Sequence, residues 1–212
     1  MAHHGAPPLA AAPIEAGSLE LTSSDVMLAK LETRRSVPLR SFADDAIPDD
    51  DLERMLTIAA RTPDHGRLVP WRFITVTGPA RQTAGERLDA IYASRNPDLA
   101  PAKQDMWTLY MLRAPVTVIL VSRADPAAKI PVWDQELSAG AAGMNLLAAA
   151  SALGYAAQWL LKWPGRDSEA AAIFGVGMSE RVAGFIHLGR QIEKPQDRPR
   201  PDLAEVVTRW TG

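Results

Sequence analysis

Cysteine is absent from the 212 residues, which excludes disulfides, thiolate nucleophiles and thiolate metal centres and suits a cytoplasmic protein. A charge excess is missing too: 23 basic against 25 acidic residues leave a formal charge of -2. No basic field gathers phosphates along the chain, so nucleic acid is not an expected partner and any anion must be held by a local constellation. There is no Gly-x-Gly-x-x-Gly after a strand pattern, no Walker loop, no His-Glu-x-x-His and no Gly-x-Ser-x-Gly. Dinucleotide-loop, phosphate-loop, zincin and hydrolase chemistries are therefore unsupported.

Charge is also lacking from Leu137 to Leu161, LSAGAAGMNLLAAASALGYAAQWLL, a run long enough to span a bilayer. Ala, Gly and Ser dominate it, Asn145 and Gln158 interrupt it, and Gly154 ends a helix before a separate strand. The expectation is a helix buried on all sides of a protein core, with no membrane role.

What is present describes one ordinary globular domain, with hydrophobic residues at 47% and charged residues at 23%. Residues 1–21 are rich in Ala and Pro and are expected to be a flexible leader; His3 and His4 belong to it and do not suggest a metal site. The domain is expected over 22–212.

Ser23, Ser24 and Asp25 cap a first helix ending near Arg34, and Pro48-Asp49-Asp50-Asp51 opens a second whose stripe is Leu52, Met55, Leu56 and Ala59. WRFITVT at 71–77 has the β-branched alternation of a strand, and PVTVILVS at 115–122 that of a central strand covered on both faces. Helical patterns cover about 80–94, 102–113 and 167–174, and two further strands fall at YAAQWLL and RVAGFIHLGR. PQDRPRP at 195–201 must be an extended connection, and DLAEVVTRW a short arm or edge strand.

Three segments could carry chemistry. Arg34-Arg35-Ser36 ends the first helix with donors suited to a phosphate, although basic residues there also suit the helix dipole without any ligand. RTPDHGRLVPWRF at 61–73 concentrates Arg, His, Gly, Pro and Trp between a helix and a strand, more than a plain linker needs. His65 beside Asp64 suits a structural hydrogen-bond pair, and Trp71 suits packing. The third segment is VWDQELSAGAAGMNLLAAASALGYAAQW at 132–159, in which Gly140 and Gly143 suit close helix packing.

In this order and spacing the three segments resemble the flavin-dependent nitroreductase family, over roughly residues 25–192. The resemblance implies an α+β three-layer sandwich: a central, mainly antiparallel sheet flanked by helices, dimerising through long helices with FMN at the subunit interface. It implies that Arg34, Arg35 and Ser36 hold the flavin phosphate and ribityl chain, and that Arg61 and His65 reach the flavin from the other subunit. Trp159, Leu160 and Leu161 match the strand segment that lines the flavin through main-chain groups.

The implied activity is oxidoreduction, a ping-pong transfer of hydride from NADH or NADPH through FMN to a nitroaromatic, quinone or activated alkene. No side chain is assigned as catalytic acid or base. The alternative is a flavin-binding or flavin-storage protein with little turnover, its Leu160-Leu161-Trp163 rim excluding nicotinamide.

The sequence departs from the family where Val69 replaces a Gln before Pro-Trp and where Leu160-Leu161-Lys162 follows Trp159 instead of Arg-Ser-Gly. Lys162 and Trp163 are expected to shape an altered pocket. Arg190, Arg198 and Arg200 are candidate extra phosphate donors, with solvated charge the favoured expectation for each.

Overall fold

A computed structural model describes residues 25–212; the leader expected over 1–21 and the capping residues Ser23 and Ser24 lie outside the described residues. Its centre is a sheet of four strands, β1 (Trp71–Thr77), β2 (Val116–Ser122), β3 (Ala156–Leu160) and β4 (Arg181–Gly189). Their order is β1-β2-β4-β3 and every pairing is antiparallel. β2 is central and buried at all seven positions, as a charge-free β-branched run covered on both faces requires.

The two faces of β2 carry separate helix layers. Val116, Val118 and Leu120 pack toward α2 (Asp49–Ala59) and α5 (Val132–Ala152). Ile119 and Val121 pack with residues of α3 (Ala80–Arg95), α4 (Met106–Leu112) and α6 (Ser168–Ala172). The result is the expected α+β sandwich. α1 (Asp25–Thr33) lies against α5, and a short α7 (Leu203–Val206) sits in an exposed C-terminal arm.

α4 is shorter than its pattern because Pro101–Lys103 forms a separate turn and the Asp89 carboxylate caps the helix from α3, accepting from the amides of Trp107 (2.8 Å) and Thr108 (2.9 Å). α5 ends at Ala152, and Gly154 takes a left-handed φ of +83° before β3 begins. Burial on all sides, expected for this helix, is not found. Trp133, Leu137 and Met144 are 66%, 53% and 42% exposed, because α2 and the sheet cover only the opposite face and no element among the described residues covers the outer one. Among the described residues no helix is long and apolar enough to cross a membrane.

The polar side chains that interrupt α5 fasten other segments to it. Asn145 Nδ2 donates to Thr62 Oγ1 (2.9 Å), while Ser138 Oγ accepts from Trp71 Nε1 (3.1 Å) and donates to the Pro63 carbonyl (2.7 Å). Gln135 ties down the loop at 125–130 through the carbonyls of Asp125 and Ile130.

Trp159 is clamped between α5 and β4. A methyl group on Gly143 would lie 2.5 Å from its ring and one on Gly184 1.9 Å from its Nε1, which donates to the Ala183 carbonyl. The ring cannot yield on either side. Gly184→Ala is therefore expected to cost about 2–3 kcal/mol through overpacking, lowering the thermal midpoint by several degrees. Calorimetry showing an unchanged midpoint would contradict this packing.

Candidate functional site

Arg34 and Arg35 follow the last turn of α1 and line a cleft of about 210 Å³ together with Lys30, Ser151, Gln191 and Lys194. Among the described residues no carboxylate belongs to its walls. Lys30 stands one helical turn before Arg34, and Lys194 comes from the chain after β4. Neither lysine was anticipated; the i, i+4 spacing of Lys30 could have revealed the first, whereas nothing local marks the second.

The Arg35 side chain is mostly buried, and its Nε donates to the Gln196 carbonyl (3.0 Å) with the exposed Asp197 carboxylate 3.8 Å away. The connection at 195–197 thereby holds this guanidinium in place. Arg200 reaches the Arg34 carbonyl at 3.5 Å and pairs with Asp197, so it is less free than expected. Arg190 lies over the Tyr155 ring at 5.2 Å.

Ser36 makes a parallel bridge to Ala157, and the Val37 amide donates to the Ala157 carbonyl (3.3 Å). This joins the arginine pair to β3, an edge strand. Farther along that edge come Trp159, Leu160 and Leu161. The Trp159 indole is turned into the core, so only its main chain can meet a ligand, whereas Leu161 is 39% exposed.

Arg61 and His65 lie elsewhere. The segment after α2 runs along α5 toward its start: Thr62 meets Asn145, Pro63 meets Ser138, and His65 Nδ1 is 2.9 Å from Asp134 Oδ2. About 26 Å of helical rise separates Asp134 from Ser151 at the arginine cleft. A single chain therefore does not bring His65 to the arginine pair. Both His65 and Arg61 are exposed.

His65 does not pair with its neighbour Asp64. The Asp64 carboxylate instead accepts from the amides of Leu68 (3.1 Å) and Val69 (2.7 Å). It braces a loop in which Gly66, Arg67 and Val69 all have positive φ, of 77°, 55° and 49°. Such a conformation is unfavourable for Arg and especially for the β-branched Val. Arg123 adds a second brace by donating to the Val69 carbonyl (2.9 Å). Asp64→Ala is expected to cost about 1–2 kcal/mol and to speed hydrogen exchange at the Leu68 and Val69 amides; unchanged exchange there would contradict the bracing role.

Arg72, unassigned from the sequence, forms a bidentate pair with Glu180, with both contacts at 2.7 Å, and also donates to the Gly175 carbonyl. Hydrogen bonding to Arg72 holds the Glu180 carboxyl down to about 2. Trp163 does not stand at a pocket rim as expected. It packs against Tyr92 (4.9 Å between ring centres) and Trp107 (5.2 Å), because α3 and α4 offer it an aromatic wall. Lys162 is exposed.

A four-stranded antiparallel sheet between helix layers defines an α+β sandwich, with a cleft lined by Lys30, Arg34, Arg35 and Lys194 joined to its edge strand. The model of the Nitroreductase family matches residues 31–190, and the chain belongs to that family of oxidoreductases. It is 33% identical over 162 residues to a protein of Haemophilus influenzae named as an NAD(P)H nitroreductase, covering 75% of this chain and 86% of the relative. It is 29% identical over 179 residues to one of Escherichia coli K12, YdjA, named likewise, covering 79% and 91%. A solved Bacteroides fragilis nitroreductase with bound FMN superposes with a TM-score of 0.65 at 24% identity, over 87% of this chain and 98% of that one.

Proposed function

We propose that this protein is an FMN-dependent oxidoreductase that passes a hydride from NADH or NADPH to a small acceptor in a ping-pong cycle, working as a homodimer. The observation that carries the reading is the cleft walled by Lys30, Arg34, Arg35 and Lys194, with no carboxylate among the described residues that line it. Four cationic side chains around about 210 Å³ suit a phosphate and little else. The fit of FMN to these residues is favourable: its phosphate would be held by Arg34, Arg35 and the two lysines, with Ser36 and the open edge of β3 leading toward Leu161. Bound there, FMN would supply the hydride-accepting chemistry.

The chain's own tasks are then binding, orientation and exclusion of water. Arg35, fixed by the Gln196 carbonyl, presents its remaining donors without further ordering. The main chain of Trp159 to Leu161 is held rigid by the clamped indole. Arg61 and His65 serve the site of a second copy, a reading that the distance of His65 from the arginine pair within one chain supports. The uncovered apolar stripe of α5 (Trp133, Leu137, Met144) and the exposed Leu28, Leu31 and Trp210 support association. A nicotinamide-excluding rim gains no support, since Trp163 is turned into the core.

The test is an absorption spectrum of the purified protein after FMN reconstitution, anaerobic titration with NADH and NADPH, and size-exclusion chromatography. A colourless monomer in excess FMN, or a bound flavin that neither nicotinamide bleaches, would defeat the reading.

A further inference from the structure

A further space lies apart from the arginine cleft. It is a cavity of about 440 Å³ beyond Leu161, walled by the turn after β3, α6 and the start of β4. Its apolar wall is Leu161, Ala171, Val176 and Val182, and Arg166 and Arg181 stand exposed around it. Two carboxylates also border it, but both are already matched. Asp167 pairs with Arg95 and caps α6 through the Ala170 amide, and Glu180 is committed to Arg72. Arg166 makes no ion pair among the described residues, and Arg181 has only a loose 3.5 Å contact with Glu136, its own side chain 82% exposed. Two guanidinium groups thus border an apolar pocket without a close carboxylate partner among the described residues.

The geometry points to a binding site for an aromatic carboxylate, its ring on the apolar wall and its carboxylate between Arg166 and Arg181. The volume falls near the low end of the range for small-ligand sites, about 300–1,000 Å³, and suits one ring with its substituents better than a dinucleotide. Because Leu161 belongs both to this wall and to the candidate flavin edge, the site is that of the electron acceptor, an assignment that rests on the proposed function. For a nitrobenzoate the reaction balances as one nitro group, one NAD(P)H and one proton giving a nitroso group, NAD(P)+ and water. The two electrons come from the nicotinamide and the proton from solvent.

The probes are 4-nitrobenzoate and nitrobenzene, alike except for the carboxylate, titrated calorimetrically into the FMN-reconstituted protein and then followed in turnover with a saturating donor. Tighter binding and lower KM are expected for 4-nitrobenzoate. Arg166→Ala and Arg181→Ala should each weaken it by about three- to fivefold and the double variant by about tenfold or more, with nitrobenzene unaffected. Ala172→Phe, which fills the cavity from an exposed helix position, should weaken both probes while leaving circular dichroism unchanged. Equal affinities for the two probes, or a double variant that still prefers 4-nitrobenzoate, overturn the proposal. So does a double variant whose defect lies in the KM for NADH or NADPH alone. Should the protein take up no flavin, the titration still reads the cavity: a carboxylate preference that depends on both arginines upholds the binding site while the acceptor role falls with the proposed function.

Discussion

Replacing Arg34 and Arg35 together by alanine is expected to weaken FMN binding by two to four orders of magnitude, about 3–5 kcal/mol, from the loss of charge-assisted hydrogen bonds to a phosphate. The single variants should separate two roles. Arg34 contributes only its carbonyl to an internal contact, at 3.5 Å from Arg200, so Arg34→Ala should lose affinity while the flavin-free protein melts normally. The guanidinium of Arg35 also anchors the connection at 195–197, so Arg35→Ala should both lose affinity and lower the midpoint of the flavin-free protein. Lysine at 34 should recover part of the affinity, since it keeps the charge without the planar fork. Fluorescence titration of FMN measures the first effect and thermal unfolding the second; a double variant that binds FMN as tightly as the parent would remove the phosphate role from this cleft.

The sequence discloses those features that depend on neighbours along the chain. β1 falls at 71–77, where β-branched alternation predicts it, and β2 is buried at every position, as its charge-free β-branched run predicts, with Thr117 and Ser122 taken inward among the apolar side chains. The acidic first turn and apolar stripe of α2 give that helix away in the same manner. Strand order is not disclosed, because β2 pairs with β1 and β4 across long stretches of chain and no local signal encodes either register.

The candidate site divides along the same line. The Arg34-Arg35-Ser36 triplet and the loop around His65 stand out by local density, yet the partner of His65 is Asp134 and that of Arg72 is Glu180, 69 and 108 positions away. Trp163 misleads for the opposite reason. Its loop resembles a pocket rim in composition, and only the packing of α3 against α4 supplies the aromatic wall that draws it inward.

The interior of the sheet leads to a second large effect, which no single segment announces. His187 on β4 is flanked in register by Thr117 on β2 and Gln158 on β3, and the edge of one ring meets the face of the other where it packs against Tyr110, at 4.7 Å and 86°. Its Nδ1 is 3.0 Å from Thr117 Oγ1, while its Nε2, like Gln158 Oε1 and Tyr110 Oη, has no hydrogen-bond partner among the described residues. No acidic side chain stands among these neighbours to stabilise an imidazolium, and full burial holds the imidazole down to about 3. In the unfolded chain the same group takes a proton near its ordinary value of about 6.5. The folded state is therefore at full strength above pH 6.5 and loses stability as pH falls from there toward 3, because the unfolded chain binds the proton first.

The expected loss between pH 7 and pH 4.5 is about 2.5 kcal/mol, rising to about 4 kcal/mol by pH 3.5. The upper window is the diagnostic one: Glu180, held low by Arg72, loses its own contribution only as pH falls through about 4.5 toward 2, so it adds little above that point. Denaturant unfolding at pH 7, 6, 5 and 4.5 should follow this curve in the parent protein. His187→Gln should flatten it whatever that substitution does to stability at neutral pH. A parent protein equally stable across the window, or a variant with the parent's slope, would mean that the buried imidazole is not what makes this sheet sensitive to acid.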